Sequence, residues 1–99
     1  MTKTVVITGA NRGIGFELVK CYLANAEWQI IAACRTPDKA TELQKLAEAT
    51  DGDIEIVRLD VANAASVAAF AQAIGDRTID VLINNAGVIG GDHQSLGDI

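Results

Sequence analysis

The chain has 99 residues, 49% of them hydrophobic and 21% charged, with a formal net charge of −5. That balance belongs to one ordinary folded domain without an internal linker, and it excludes a disordered or low-complexity chain. The eight Lys and Arg form no cluster, which removes the basic footprint of a nucleic-acid binder, and two cysteines without a CxxC beside a single histidine, His93, supply neither a zinc set nor a disulfide framework.

Met1, Thr2 and Lys3 lead straight into residues 4–8, TVVIT, a run too short for a signal-peptide core or a membrane span. A cytoplasmic protein without a membrane segment is therefore expected. The β-branched run predicts a buried strand. Residues 9–15, GANRGIG, follow as a glycine loop, and from Ile14 the positions Ile14, Leu18 and Tyr22, with Val19 and Leu23, make a helical stripe.

Residues 29–34, QIIAAC, predict a second strand. Thr36 and Pro37 then offer an N-cap and a proline at the first helical position of one helix, which carries Ala40, Leu43, Leu46 and Ala47 on a face and ends near Asp51-Gly52. Residues 54–59, IEIVRL, predict a third strand. Asn63 can cap a helix with Val67, Phe70, Ala71 and Ile74 on its apolar face, closed by Gly75-Asp76. Residues 79–83, IDVLI, predict a fourth strand leading to Asn84-Asn85-Ala86-Gly87.

Strands alternating with helices require parallel pairing through right-handed crossovers. The predicted fold is an α/β, Rossmann-type doubly wound parallel sheet, first half only, with four strands in the order 3-2-1-4 and helices on both faces. Ligands on such sheets bind beyond the carboxyl ends of the strands, where the order reverses.

The loop reads Thr-Gly-x-x-x-Gly-x-Gly between a strand and a helix, a context in which glycine lets backbone approach a phosphate and the helix start offers free N–H groups. Where NAD-binding proteins place an acidic residue for the ribose hydroxyls, this chain has Cys34, followed by Arg35. A guanidinium grips a 2′-phosphate that a carboxylate would repel, and Arg12 in the loop can reach the same group. A charged hydrogen bond contributes roughly 1.5–3 kcal/mol, so two arginines would favour NADP by well over about tenfold. Asp60 and Val61, at the end of the third strand, can meet an adenine. Asp60 can equally cap the following helix, and Asn84 and Asn85 can satisfy backbone groups at their strand end.

Together TGxxxGIG at residues 8–15, Asp60-Val61 and Asn84-Asn85-Ala86-Gly87 resemble the cofactor half of the short-chain dehydrogenase/reductase family, in order and spacing, along almost the whole chain. Within it, the stretch from Cys34-Arg35-Thr36-Pro37 through residues 42–47, ELQKLA, resembles the C-factor and sniffer-type carbonyl reductases, which favour NADPH. The resemblance implies that Gly9, Asn11, Arg12, Gly13, Ile14 and Gly15 line the adenosine phosphate and pyrophosphate. It further implies Arg35 at the 2′-phosphate, Asp60 and Val61 at the adenine, and Asn84, Ala86 and Gly87 along the ribose side.

The family's chemistry needs a tyrosine with a lysine four residues on. The only tyrosine is Tyr22, followed four residues later by Ala26, and Ser95 lies in a polar tail, so no catalytic residue is assigned and no metal is expected. Residues 1–99 are read as the N-terminal part of a single dinucleotide-binding domain whose catalytic half is absent, with residues 81–83 forming an exposed sheet edge. The complete protein is expected to be an NADP(H)-dependent oxidoreductase acting on a small carbonyl or alcohol, and a homo-oligomer. The alternatives are a non-catalytic NADP(H)-binding signalling or sensing protein, and a scaffold that binds no nucleotide.

Overall fold

The structure, a computed structural model, describes residues 2–25 and 27–85. The β-branched run after Lys3 forms β1 (Lys3–Thr8), and the apolar run after it in the chain forms β2 (Trp28–Cys34). Both are buried on their two faces: Val5, Val6, Ile7, Ile30, Ile31, Ala32 and Ala33 have at most 1% exposure. Such strands suit only the centre of a sheet covered by helices on both sides. The more polar β3 (Ile54–Arg58) and the short β4 (Val81–Ile83) flank them, in the parallel order β3-β2-β1-β4. The predicted order and fold class hold, and the order reverses between β1 and β4.

Strand alternation sorts the core. Val5 and Ile7, Ile30 and Ala32, and Ile54 face α1 (Gly13–Leu23) and α2 (Thr41–Glu48), where Val19 and Leu43 are fully buried against them. The opposite face is served by α3 (Ala64–Ile74). Among the described residues no helix is long and apolar enough to cross a membrane.

Four expectations need correction. The helix predicted from Pro37 is split into a 3-10 turn (Pro37–Lys39), a break at Ala40 with φ −86° and ψ 63°, and α2. Ala40 and Leu43 are both drawn into the core across that break, while the Gln44 side-chain amide donates back to the Pro37 carbonyl, and Thr36 makes no side-chain cap. Ile14, expected on the core stripe of α1, is 72% exposed, because the face of α1 that turns inward carries Gly15 and Val19 and leaves Ile14 outside it.

The face predicted for α3 is the third. Val67 is 43% exposed and Ala71 is exposed, with Phe70 and Ile74 half-buried, and the one buried residue is Ser66. Polar contacts explain this. Ser66 Oγ accepts from the Asp60 N–H at 2.8 Å and from Arg58 Nη1 at 3.4 Å, and Asn63 Oδ1 caps the helix by accepting from the Ser66 N–H at 3.0 Å. Past the other end of α3, Arg77 Nη1 pairs with Glu55 Oε1 at 2.7 Å. Held at both ends, α3 leaves Val67 43% exposed, and Leu82 of β4 is 64% exposed, among the described residues. Among the described residues β4 pairs only with β1.

The fourth is the start of β4, at Val81 rather than Ile79. Asp80 Oδ2 accepts the Thr4 N–H at 2.8 Å, so a carboxylate takes the place of a ladder carbonyl there.

Between β1 and α1 the backbone turns sharply. Gly9 and Gly13 hold φ of 61° and 59°, the left-handed region that costs a side-chain-bearing residue roughly 1–2 kcal/mol. Gly15 is constrained by space instead. A Cβ there would overlap the Gly9 carbonyl oxygen and lie 2.8 Å from Asn85 Nδ2. Backbone must move to admit even a methyl group, an overpacking cost of about 1–3 kcal/mol or more. Chemical denaturation should therefore show Gly15→Ala losing more stability than Gly13→Ala, whose added Cβ meets nothing within 4 Å. A Gly15→Ala protein as stable as the parent would contradict this packing.

The two thiols differ. Cys21 is exposed and Cys34 is buried at the end of β2, where burial pushes its thiol pKa up despite a hydrogen bond from the Thr36 backbone. A neutral reagent such as a maleimide should label Cys21 rapidly at pH 7 and Cys34 only on unfolding. Because the native pKa is raised, the stability held by the neutral Cys34 thiol is full below the usual 9.0 and is lost as pH climbs through the native value. A Cys34→Ala variant should show a flatter loss of stability above pH 9 than the parent, and identical slopes would contradict the assignment.

Candidate functional site

All four strands deliver their carboxyl ends to one side of the sheet, where a cleft of about 610 Å³ opens. That volume suits a small-molecule or cofactor site, which typically spans roughly 300–1,000 Å³. After β1 come Gly9, Asn11, Arg12, Gly13 and Ile14; after β2 come Arg35, Thr36 and Lys39; after β3 come Leu59, Asp60, Val61 and Ala62; and after β4 comes Asn85. Eight residues expected from the sequence thus meet in one place: Gly9, Asn11, Arg12, Gly13, Ile14, Arg35, Asp60 and Val61.

Hydrogen bonds fix the walls relative to one another. The Ala10 N–H donates to the Ala33 carbonyl at 3.0 Å, tying the loop to the end of β2, and the Leu59 N–H donates to the Cys34 carbonyl at 2.8 Å, tying β3 to the same point. Asn85 Nδ2 donates to the Gly9 carbonyl at 3.3 Å, closing the fourth side.

Arg12 is the residue before α1, with φ −164° and ψ 170°, and α1 carries no acidic side chain in its first turn. The first N–H groups of any helix have no carbonyl within the helix, and here no carboxylate competes for them, so the loop presents donors and a partial positive charge to the cleft. Among the described residues no carboxylate lies within 4 Å of Arg12, Arg35 or Lys39, whereas Lys3, Lys20 and Arg77 each find one, at 3.9, 3.0 and 2.7 Å. The Asp60 carboxylate is engaged locally: its Oδ1 accepts the Ala62 N–H at 3.0 Å. The helix cap is Asn63, so Asp60 forms a turn ahead of α3 rather than capping it. Ile14, Leu59 and Val61, the first and last well exposed, give the cleft an apolar lining fit for a flat ring.

Two of the expected residues stand behind the cleft. Gly15 is buried beneath Gly9, where its missing side chain allows the helix to approach the loop. Asn84 Oδ1 accepts from Thr8 Oγ1 at 3.1 Å, a contact between β1 and the end of β4. Ala86 and Gly87 lie outside the described residues, as does Ser95.

Sequence reasoning missed Thr36, Lys39, Leu59 and Ala62, and gave Asn85 no place at the site. Lys39 was hidden because a continuous helix from Pro37 carries no signal that its third residue turns toward the glycine loop. Thr36 and Ala62 neighbour residues that the motifs did mark, so proximity to Arg35 and Val61 was the available signal.

The residues fit a dinucleotide: free amides and cations for its phosphates, apolar surface for its base, and a cleft of sufficient size. Comparison with known proteins points the same way. The family model for short chain dehydrogenases matches residues 3–98. The short chain dehydrogenase gsfK of Penicillium aethiopicum is 37% identical over 93 residues, which is 91% of this chain and 37% of that protein. A carbonyl reductase from Pseudomonas aeruginosa PAO1, solved in complex with NADP, superposes with a TM-score of 0.82 at 33% identity, covering 100% of this chain and 43% of that one. The NADPH-bound carbonyl reductase from chicken fatty liver gives 0.76 at 35% identity, covering 98% and 40%. The chain thus spans less than half the length of the relatives it matches. With its strand order, its glycine loop and this match over nearly its whole length, the chain belongs to the short-chain dehydrogenase family.

Proposed function

We propose that this chain forms the NADP(H)-binding portion of an oxidoreductase that moves hydride between NADP(H) and a small carbonyl or alcohol. One observation carries the reading. Arg12 and Arg35, neither paired with a carboxylate among the described residues, line one cleft with the amides of the glycine loop, and the residue that ends β2 is the uncharged Cys34. A dinucleotide without a 2′-phosphate would leave two guanidiniums without a partner. One with it satisfies both.

In this reading Gly9, Gly13 and Ile14 offer backbone to the pyrophosphate, Asn11 lies beside the adenosine phosphates, and Arg12 and Arg35 hold the 2′-phosphate. Asp60 and Val61 meet the adenine. Asn84, Ala86 and Gly87 run along the ribose side, Asn84 through its contact with Thr8. When bound, the nicotinamide supplies the hydride, and this chain's residues bind and orient it. Tyr22 takes no part: it packs edge-on against Trp28 with ring centroids 4.8 Å apart, away from the cleft. The relatives solved with NADP or NADPH support the cofactor and the substrate class. We take the complete protein to be a cytoplasmic homo-oligomer, a location to which two free cysteines are suited.

Calorimetry should find NADPH bound more than about tenfold more tightly than NADH, and Arg35→Ala should erase most of that difference. Equal affinities in the parent protein would defeat the 2′-phosphate assignment. The whole protein should oxidise NADPH in the presence of small aldehydes or ketones. Tight NADPH binding without turnover across such a panel would replace the enzymatic reading with a sensing one.

A further inference from the structure

We infer that Ser66 is a positioning residue for the base end of the cleft: through the Asp60 amide it holds the Asp60 carboxylate and the Val61 N–H in the arrangement that selects adenine. The inference rests on the NADP(H) reading above, in which Asp60 and Val61 meet the adenine, and adds a residue of α3 that does not itself line the cleft.

A buried hydroxyl on an exposed helix is the observation behind it. Ala64, Ala65, Val67, Ala68 and Ala69 are all open to solvent, yet the serine among them is 5% exposed. Hiding a hydroxyl costs free energy unless it is hydrogen-bonded, so its burial reflects its partners and not apolar packing. Ser66 Oγ accepts the Asp60 N–H at 2.8 Å and a longer bond from Arg58 Nη1 at 3.4 Å. The Ser66 N–H in turn donates to Asn63 Oδ1 at 3.0 Å, and the Asn63 N–H donates to the Asp60 carbonyl at 3.0 Å. Three residues thus close a ring of hydrogen bonds, and the turn that carries Val61 is spanned by it.

The ring leaves one acceptor and one donor for a ligand. Asp60 Oδ1 accepts the Ala62 N–H at 3.0 Å, while Asp60 Oδ2 and the Val61 N–H have no hydrogen-bond partner among the described residues, and both residues line the cleft. Adenine presents a donor, its 6-amino group, beside an acceptor, N1, and so matches an acceptor beside a donor. Hypoxanthine presents a carbonyl and an N1–H in the same places and reverses both. A site built to hydrogen-bond one pattern rejects the other because its own polar groups are then left unpaired, and that rejection depends on where those groups are held. Ser66 fixes their place from outside the cleft: the Asp60 nitrogen that it holds is bonded to the Cα that bears the carboxylate, and the Val61 amide is the next along the chain.

Calorimetry of the whole protein with NADPH, with its hypoxanthine analogue and with NADH separates this proposal from the one it rests on. The parent should prefer NADPH to the hypoxanthine analogue by about tenfold, and Ser66→Ala should cut that preference below about threefold. The same variant should keep the preference for NADPH over NADH, which reads the 2′-phosphate and reports that the protein is folded, within about twofold of the parent. Ser66→Thr, which retains the hydroxyl, should restore the base preference. Where alanine does not fold, Ser66→Cys keeps the bulk, weakens the acceptor and reads the same ratio. If the variants keep the parent's base preference, with all three affinities unchanged or lowered together, Ser66 only docks α3 and this inference falls alone. If the parent binds NADPH and its hypoxanthine analogue equally, the placing of adenine at Asp60 and Val61 is wrong and the Ser66 role falls with it.

Discussion

Everything at the cleft depends on how closely α1 approaches the end of β1. Gly15 sits so near the Gly9 carbonyl that no side chain fits between them, and Asn85 donates to that same carbonyl from the end of β4. One backbone oxygen thus joins the helix start, the central strand and the neighbouring strand. The contact aims the first amides of α1 outward over the strand ends, where they present donors to an anion. Were α1 to withdraw by the width of a methyl group, the loop would lose both its shape and its support from Asn85.

The second strand completes the arrangement from the other side. Ala33 receives the Ala10 N–H, and Cys34 receives the Leu59 N–H, so the backbone just before Arg35 is tied to the glycine loop and to the end of β3. Arg35 and Arg12 are thereby brought to one opening although they are far apart in sequence. Cys34 is turned into the core, and its neutrality leaves the opening without the carboxylate that would discourage a phosphorylated ribose. The strand end thus carries one side chain inward, Cys34 in the core, and one outward, Arg35 at the cleft.

Much of this was legible before the structure. Continuous apolar runs separated by helix-length segments specify parallel strands buried on both faces, and β1 and β2 are such runs. The glycine loop announced itself by its place between strand and helix, and Asn63 by its position ahead of an apolar segment. What stayed hidden depends on contacts between parts distant in the chain. Ala40 looks like any helical alanine until its burial breaks the helix, and Lys39 acquires its place only through that break. Ser66 lies off the predicted stripe of α3, yet it docks the helix through the Asp60 amide, so periodicity found the half-buried Phe70 and Ile74 but set Val67 and Ala71 inward in place of Ser66. Gly15 looked like a phosphate-lining glycine; its burial under Gly9 follows from the angle at which α1 crosses the loop, which spacing does not report. Ile14 fits the helical stripe by its number and the cleft by its position, and only the structure separates the two.

In the proposed function, one oriented set of amides and guanidiniums receives the phosphates of a dinucleotide. Amide-resolved NMR of the protein titrated with NADPH tests it directly. The largest shifts should fall on the backbone amides of Gly9, Asn11, Gly13 and Ile14 and on the side-chain signals of Arg12 and Arg35. Shifts centred on the exposed side of α3 and on Leu82, with the glycine loop unmoved, would contradict it.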